Sequence, residues 1–298
     1  MKNEISQYFF NNFMKIQQIK PQDHIFTENL QYYPNPVKRL YYRGELPETR
    51  IPTVAIVGAR KPTTYGREIA QKIASEVALR GGIVISGMAL GIDGIAHKAA
   101  MNTGGITLAV LANGVDKFYP SSHAGLGMRI LETGGAIISE YEPGTPALPF
   151  QFLERNRIVS GLADAVVVVE AAIRSGTLST ANHALDQGKE VFAVPGNITS
   201  PLSAGCNKLI KQGAQPLTEV QDLLDFLFPK TKESRQISLL KGDTPAEDKI
   251  IELLAQGIKN GEVLLQKSEL STSEFNQAIT MLEIKGLISG DANNWSLK

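Results

Sequence analysis

Thr53-Val54-Ala55-Ile56-Val57-Gly58-Ala59-Arg60-Lys61-Pro62-Thr63-Thr64-Tyr65-Gly66 is the stretch on which the fold turns. Thr53 to Val57 is a short apolar run rich in β-branched residues, the pattern of a fully buried strand. Gly58 opens a turn, and from Tyr65 the period becomes helical: Ile69, Ile73 and Val77 recur at spacing four, with Ala70, Ala74 and Ala78 beside them. A strand, a glycine turn and a helix form the opening unit of a doubly wound α/β fold, whose ligands bind at the carboxyl ends of the strands. The amides and dipole at the start of such a helix favour an anion. Arg60, in the turn, has the planar fork that grips phosphate. The same residues also fit an ordinary turn with a solvent-facing arginine, and this stretch alone does not separate the two.

Strands and helices alternate beyond it. Ile83–Ser86, Ile106–Leu111, Ala136–Ser139, Ala165–Val169 and Val191–Val194 read as further strands, with helices expected at about Ile92–Asn102 and from Thr177 to Gln187. This alternation predicts a mainly parallel, buried sheet. The strands end in small or polar residues, which sets Arg60, Ser86, Gly87, Asn113, Ser175, Gly176, Thr177 and Asn197 along one rim. Ahead of the core, Leu40–Gly44 reads as an edge strand. After it, 229–245 is polar and reads as a linker, and Thr244 caps a helix with Pro245 at its first position. Val263–Lys267 and a segment from Ser271 give two more helices, and Leu287–Ser289 with Asn294–Leu297 a hairpin turning at Gly290–Asn293. Three helices and a terminal hairpin describe a winged helix-turn-helix. The expected organisation is a short extension (1–50), an extended Rossmann-like domain (51–228), a linker (229–245) and a small winged-helix domain (246–298).

The chain has 298 residues, 43% hydrophobic and 20% charged, with 30 basic and 30 acidic side chains. Residues 51–228 carry 14 basic against 15 acidic groups, and 246–298 carry 5 against 8. There is no basic slab, so binding of nucleic acid rests on a few well-placed cations. No apolar run suffices to span a bilayer, and Met1–Phe10 lacks the pattern of a secretory signal. A single cysteine, Cys206, suits a reducing cytoplasm and reads as a buried structural thiol. His24, His97, His123 and His183 lack metal-ligand spacing and read as surface or cap residues. Phe150 to Arg157 (FQFLERNR) places two arginines among aromatics just ahead of an apolar helix, a pairing suited to phosphates with stacked bases. Core phenylalanines and arginines paired to Glu154 and Asp164 are the other reading.

Six stretches in order resemble the DNA-processing protein A (DprA/Smf) family: Val54–Gly66, Ser86–His97 (SGMALGIDGIAH), Leu111–Pro120 (LANGVDKFYP), Phe152–Ala171 (FLERNRIVSGLADAVVVVEA), Ser175–Ala181 (SGTLSTA) and Val191–Ile210 (VFAVPGNITSPLSAGCNKLI). The resemblance implies single-stranded DNA binding, a homodimer made through the Rossmann-like domain, and delivery of RecA onto DNA in natural transformation and recombination. By position it implies a DNA pocket containing Gly58, Arg60, Phe152, Arg155, Asn156 and Arg157, lined by Ser86, Gly87, Ser175, Gly176 and Thr177. Leu111–Gly114 departs from a run that is often all glycine in the family, and the N-terminal extension is short for a sterile-alpha-motif-like domain. Helix Ala204–Gly213 and the segment to Leu227 are the expected dimer surface.

Two other classes compete. Ser175-Gly176-Thr177 resembles the phosphate turn of nucleoside-monophosphate phosphoribohydrolases, but Ser179, Thr180 and Ala181 follow it where such an enzyme needs a carboxylate. A nucleotide-binding sensor could use the same rim. A dinucleotide site is disfavoured because Gly58–Thr63 breaks the G-x-G-x-x-G spacing and Pro62 lacks an N–H. The expectation is a protein without cofactor or metal that is not an enzyme.

Overall fold

The computed structural model describes residues 15–229, 242–255, 258, 260–291 and 294–297. The chain divides into two compact units, Met1–Phe228 and Pro229–Lys298.

The first unit is built on one nine-stranded sheet. Its strands are β1 (Gln17–Ile19), β2 (Leu40–Gly44), β3 (Thr53–Val57), β4 (Ile83–Ser86), β5 (Thr107–Val110), β6 (Ala136–Ser139), β7 (Ala165–Val168), β8 (Glu190–Ala193) and β9 (Gln215–Pro216). They lie in the order β1-β2-β6-β5-β4-β3-β7-β8-β9. From β6 to β9 every pairing is parallel, while β1–β2 and β2–β6 are antiparallel. The parallel strands from β3 to β7 are buried along their length, as a sheet covered on both faces requires.

The helices are α1 (Thr64–Leu79), α2 (Ile92–Asn102), α3 (Ala124–Glu132), α4 (Pro149–Leu162), α5 (Thr177–Asp186), α6 (Ala204–Lys211) and α7 (Val220–Leu227). Period-two alternation along the strands decides which helices each face receives. Ala55, Ile85, Leu108 and Val166 pack with Ile158 and Leu162 of α4, Ala184 of α5 and Leu209 of α6. Val54, Ile56, Val84 and Val167 pack with Ile73 and Val77 of α1, Ala96 of α2 and Leu223 of α7. Strand order reverses between β3 and β7. That reversal opens a crevice at the carboxyl edge of the sheet, where open α/β folds bind their ligands.

Several expectations change. Leu40–Gly44 is not an edge strand, because β1 pairs on its outer side and β6 on its inner side. Residues 17–19 and 40–44 therefore belong to the same sheet as the core. On α6 and α7, Cys206 and Leu209, and Leu223, Leu224 and Leu227, are buried within the unit, while Phe226 is exposed. Cys206 is a buried thiol, with burial pushing its pKa up to about 12. His97 is no surface residue; it is fully buried on α2. Thr107 Oγ1 donates to the Val84 carbonyl at 2.7 Å, so its contact with His97 Nδ1 at 2.6 Å makes the imidazole the donor. Nε2 is then a bare, buried acceptor, and no described group pairs with it.

The second unit has α8 (Pro245–Ala255), α9 (Gly261–Ser268), α10 (Thr272–Ile284) and a two-stranded antiparallel ribbon, β10 (Ile288–Asp291) with β11 (Asn294–Leu297). Ile250, Leu254, Leu264, Phe275, Leu282 and Ile288 form its core, with Trp295 half-buried against them. Ser271 and Glu274 make a capping box for α10. Gly242 and Asp243 donate their N–H groups to Asp248 and Glu247, both at 2.8 Å, so these residues of the expected linker belong to the start of α8. Residues 230–241 of that linker, 1–14 of the expected extension, and Ala292 and Asn293 of the expected turn lie outside the described residues. No helix among the described residues is long and apolar enough to cross a membrane.

Burial, with neighbouring His123 and Arg155, depresses His97 from an ordinary 6.5 to about 3. The unfolded chain takes up that proton first, so this residue's contribution to stability is lost as pH falls from about 6.5 toward about 3. His97→Gln should therefore show a shallower fall in Tm than the parent over that acid range. Parallel Tm-against-pH curves would show that the folded imidazole titrates normally.

Candidate nucleic-acid interface

The crevice at the switch point is a cleft of about 630 Å³. Its walls are the β3 turn (Gly58, Arg60), the β4 turn (Gly87, Ala89), the first two turns of α4 and the Ser175–Thr177 loop entering α5, with Tyr119 at the mouth. Of the residues expected here, Gly58, Arg60, Gly87, Phe152, Arg155, Asn156, Ser175, Gly176 and Thr177 line it. Ser86 and Arg157 do not. Ser86 is fully buried and donates to the Ile56 carbonyl at 2.6 Å. The Arg157 guanidinium is largely buried and pairs with Glu140 at 2.5 Å.

The arginine-bearing segment lies inside a helix, not ahead of one. Pro149 begins α4, and the Gln151 side chain accepts from the Leu148 N–H at 2.5 Å, holding the first turn. Helical spacing then sends neighbours in different directions. Phe152 reaches the cleft, and Phe150 and Leu153 are exposed beside it. Arg155 turns inward and is 5% exposed.

Arg155 is a structural cation. Its Nη1 donates to the Gly87 carbonyl at 2.8 Å and to the Val110 carbonyl, joining the ends of β4 and β5 to α4. Burial lowers its pKa to about 10, opposed by the negative charge of Asp93. Asp93 is itself buried, which raises its pKa, while Arg155 and the Gly87 and Ala89 amides favour its charged form. Those amides donate to Asp93 Oδ2 at 3.1 and 3.3 Å. A side chain on residue 87 would collide with the guanidinium, so this turn needs glycine. His123 Nδ1 bonds the Met88 carbonyl at 2.9 Å and holds the same turn from outside.

Arg60 differs. It is exposed and carries no salt bridge among the described residues. Its guanidinium carbon lies 5.8 Å from the Phe152 ring centroid. Tyr119 meets the same ring at 5.5 Å with the planes tilted by 56°. The cleft thus offers one solvent-facing guanidinium beside a phenyl ring, over a floor whose other cation is already bonded. On the opposite wall Thr177 Oγ1 donates to the Gly58 carbonyl at 3.1 Å, closing the β3 turn against α5. Asn156 Nδ2 donates to the Gly176 carbonyl at 3.2 Å, tying α4 to the same loop. Gly58 is needed for packing, since a Cβ there would collide with the Ile92 side chain.

The family described as DNA recombination-mediator protein A matches residues 17–228. The chain belongs to that family. It is 43% identical over 215 residues to protein Smf of Escherichia coli, an alignment covering 70% of this chain and 58% of that protein. DNA processing protein A (DprA) from Streptococcus pneumoniae superposes with a TM-score of 0.65 at 37% identity, covering 74% of this chain and 77% of that structure. DNA processing protein A from Helicobacter pylori, described for its unique single-stranded DNA binding mode, superposes at 0.63 with 30% identity, covering 72% and 95%. The chain thus spans little more than half the length of the Escherichia coli relative. The family match places the nine-stranded sheet as the Rossmann-like DprA type.

Asp93 and Tyr119 escaped sequence reasoning. Asp93 follows a glycine turn by the spacing of an ordinary helix start. Tyr119 lies in a loop that carries no periodic signal. The proximity of Arg155 to Asp93 could not be read from residues 62 positions apart.

Removing Arg155 strips Gly87, Val110 and Asp93 of their common partner, whereas removing Arg60 leaves no buried group unsatisfied. Arg155→Ala should destabilise by roughly 3–5 kcal/mol, as expected for breaking a buried charged contact. Arg60→Ala should stay within about 0.5 kcal/mol of the parent. Urea unfolding of both variants checks this. Equal, small effects would show that Arg155 is free to serve a ligand.

Proposed function

We propose that this protein is a single-stranded DNA-binding recombination mediator, not an enzyme, and that the switch-point cleft is its DNA site. The pairing of exposed Arg60 with Phe152 carries the reading. A guanidinium held against a phenyl ring presents a phosphate contact beside a base-stacking platform, the two elements that single-strand binding requires. A duplex hides its base faces, so this combination selects unpaired strands. Gly58, Gly87, Asn156, Ser175, Gly176 and Thr177 form the walls along which the backbone runs. Arg155 shapes the floor, and Arg157 supports α4 from behind.

A hydrolase reading lacks a free acid. Asp93, the carboxylate lining the cleft, already accepts from two backbone amides and faces Arg155. The proposed partner is RecA, loaded onto the bound strand during recombination or natural transformation in the cytoplasm, a reading supported by membership of a recombination-mediator family. One cleft with one exposed guanidinium holds a short stretch of strand. A homodimer would hold a longer one by raising the effective concentration of the second site.

The second unit, taken as a winged helix, fits a protein partner better than a duplex. Helix α10 would be its reading helix. Its exposed side chains include Glu274, Glu283, Met281 and Ile284, and residues 246–298 carry 5 basic against 8 acidic groups. Phosphate would repel that surface.

In fluorescence anisotropy with an oligothymidylate, the parent should prefer single strand to duplex by about tenfold or more, the worth of a single stacked base. Arg60→Ala should weaken binding and lower the slope of log affinity against log salt by about 0.7, the loss of one single-strand phosphate contact. Equal affinity for duplex, or an unchanged salt slope, would exclude the cleft. Removal of residues 244–298 should leave single-strand affinity within about threefold, since acidic groups outnumber basic ones there, 8 to 5 in 246–298. The parent should also shorten the lag of RecA ATPase on DNA coated with single-strand-binding protein; an unchanged lag would remove the loading role.

A further inference from the structure

The anion position expected at the head of α1 is already filled, by a side chain. Glu170, just beyond the end of β7, is 3% exposed. Its carboxylate accepts from the Thr63 N–H at 2.9 Å and from the Thr63 hydroxyl at 2.5 Å. Thr63 is the N-cap of α1, and its Oγ1 accepts in turn from the Gly66 N–H at 3.2 Å. Gly66 has no side chain, and any Cβ there would run into the Glu170 carboxylate. A negative charge at this end of a sixteen-residue helix is favoured by the helix dipole.

Two consequences follow. The amide end that would bind a nucleotide phosphate in a related fold meets a carboxylate instead. The loop from Gly58 to Thr63 is also fastened at both ends, by the β3 ladder and by Glu170. Pro62, the residue before Thr63, removes a further degree of freedom. Arg60 sits in the middle of this loop, so its position against Phe152 depends on that second fastening. Glu170 itself does not line the cleft.

We propose that Glu170 is a positioning and specificity-determining residue: it occupies the anion position of α1 from within and, through Thr63, holds the Arg60 loop for a strand. The proposal deepens the single-strand reading and rests on it for its effect on DNA, but the tether itself can be read without DNA. Glu170→Ala vacates a space lined by the Thr63 N–H and hydroxyl that a small carboxylate can re-enter. Glu170→Gln keeps an acceptor for the Thr63 N–H.

The test uses the full chain, with hydrogen exchange and oligothymidylate anisotropy on the same samples. Exchange of the amides of residues 58–61 and 63 should accelerate about tenfold or more in Glu170→Ala while strands β4 and β5 stay protected, because the opening is local. Oligonucleotide affinity should fall at least about fivefold, with at most a twofold change in Glu170→Gln, where the hydrogen-bond acceptor remains. Sodium formate should restore both readouts in Glu170→Ala more than sodium chloride at equal ionic strength, and should do nothing for the parent. Thr63→Ala, which loses the hydroxyl leg and the side-chain cap on the Gly66 N–H but keeps the backbone N–H leg, should show an intermediate loss that formate does not relieve, and it serves if Glu170→Ala does not fold. Unchanged loop exchange in the Ala variants, or formate no better than chloride, would overturn the tether. Parent protein that binds no oligonucleotide, but whose Glu170→Ala loop exchange responds as stated, would overturn the DNA reading and leave the tether standing.

Discussion

The buried guanidinium of Arg155 is the contact on which the site depends. It joins α4 to the carboxyl ends of β4 and β5 through the Gly87 and Val110 carbonyls. Asp93 balances its charge and fixes the Gly87–Ala89 turn through two amides. A charge in such a place is stable only when fully bonded. The cost of burial is therefore met by three elements at once, and the same network sets the distance between the β4 turn and α4. Phe152 projects into the cleft from that helix.

This arrangement gives the arginines two separate duties. Arg155 and Arg157 belong to the scaffold, one bonded to carbonyls and the other to Glu140. Arg60 faces solvent and remains available to a ligand. The protein is neutral overall, with 30 basic and 30 acidic side chains, so under the proposed reading attraction to nucleic acid is local to the cleft and not a property of the whole surface. In the proposed role, the aromatic platform would supply affinity that salt does not screen, which suits a strand to be passed to another protein.

The sheet was legible because its strands are uninterrupted β-branched runs ending in glycine or polar residues, and that pattern survives without tertiary knowledge. Thr53–Val57, Ile83–Ser86 and Ala136–Ser139 fall where the pattern sets them. The outer strands were not: Gln17–Ile19 and Gln215–Pro216 are too short to show a period, and their pairing comes from neighbours. Helix α3 was missed because the glycines at positions 125 and 127 weaken its propensity, and its apolar side packs on the sheet all the same. Arginine roles were least legible. Phe152, Arg155 and Arg157 are close in sequence, but a turn of helix sends them to the cleft, the interior and Glu140 respectively. His97 was misplaced for the same reason, since a lone histidine in a helix carries no mark of burial.

Ultraviolet cross-linking of the full chain to a photoreactive single-stranded oligonucleotide, followed by mass spectrometry of the peptides, tests the central claim most directly. The account predicts that the attached nucleotide maps to Phe152 and Tyr119 at the switch-point cleft. Attachment concentrated in residues 244–298, with the cleft unmodified, would contradict it.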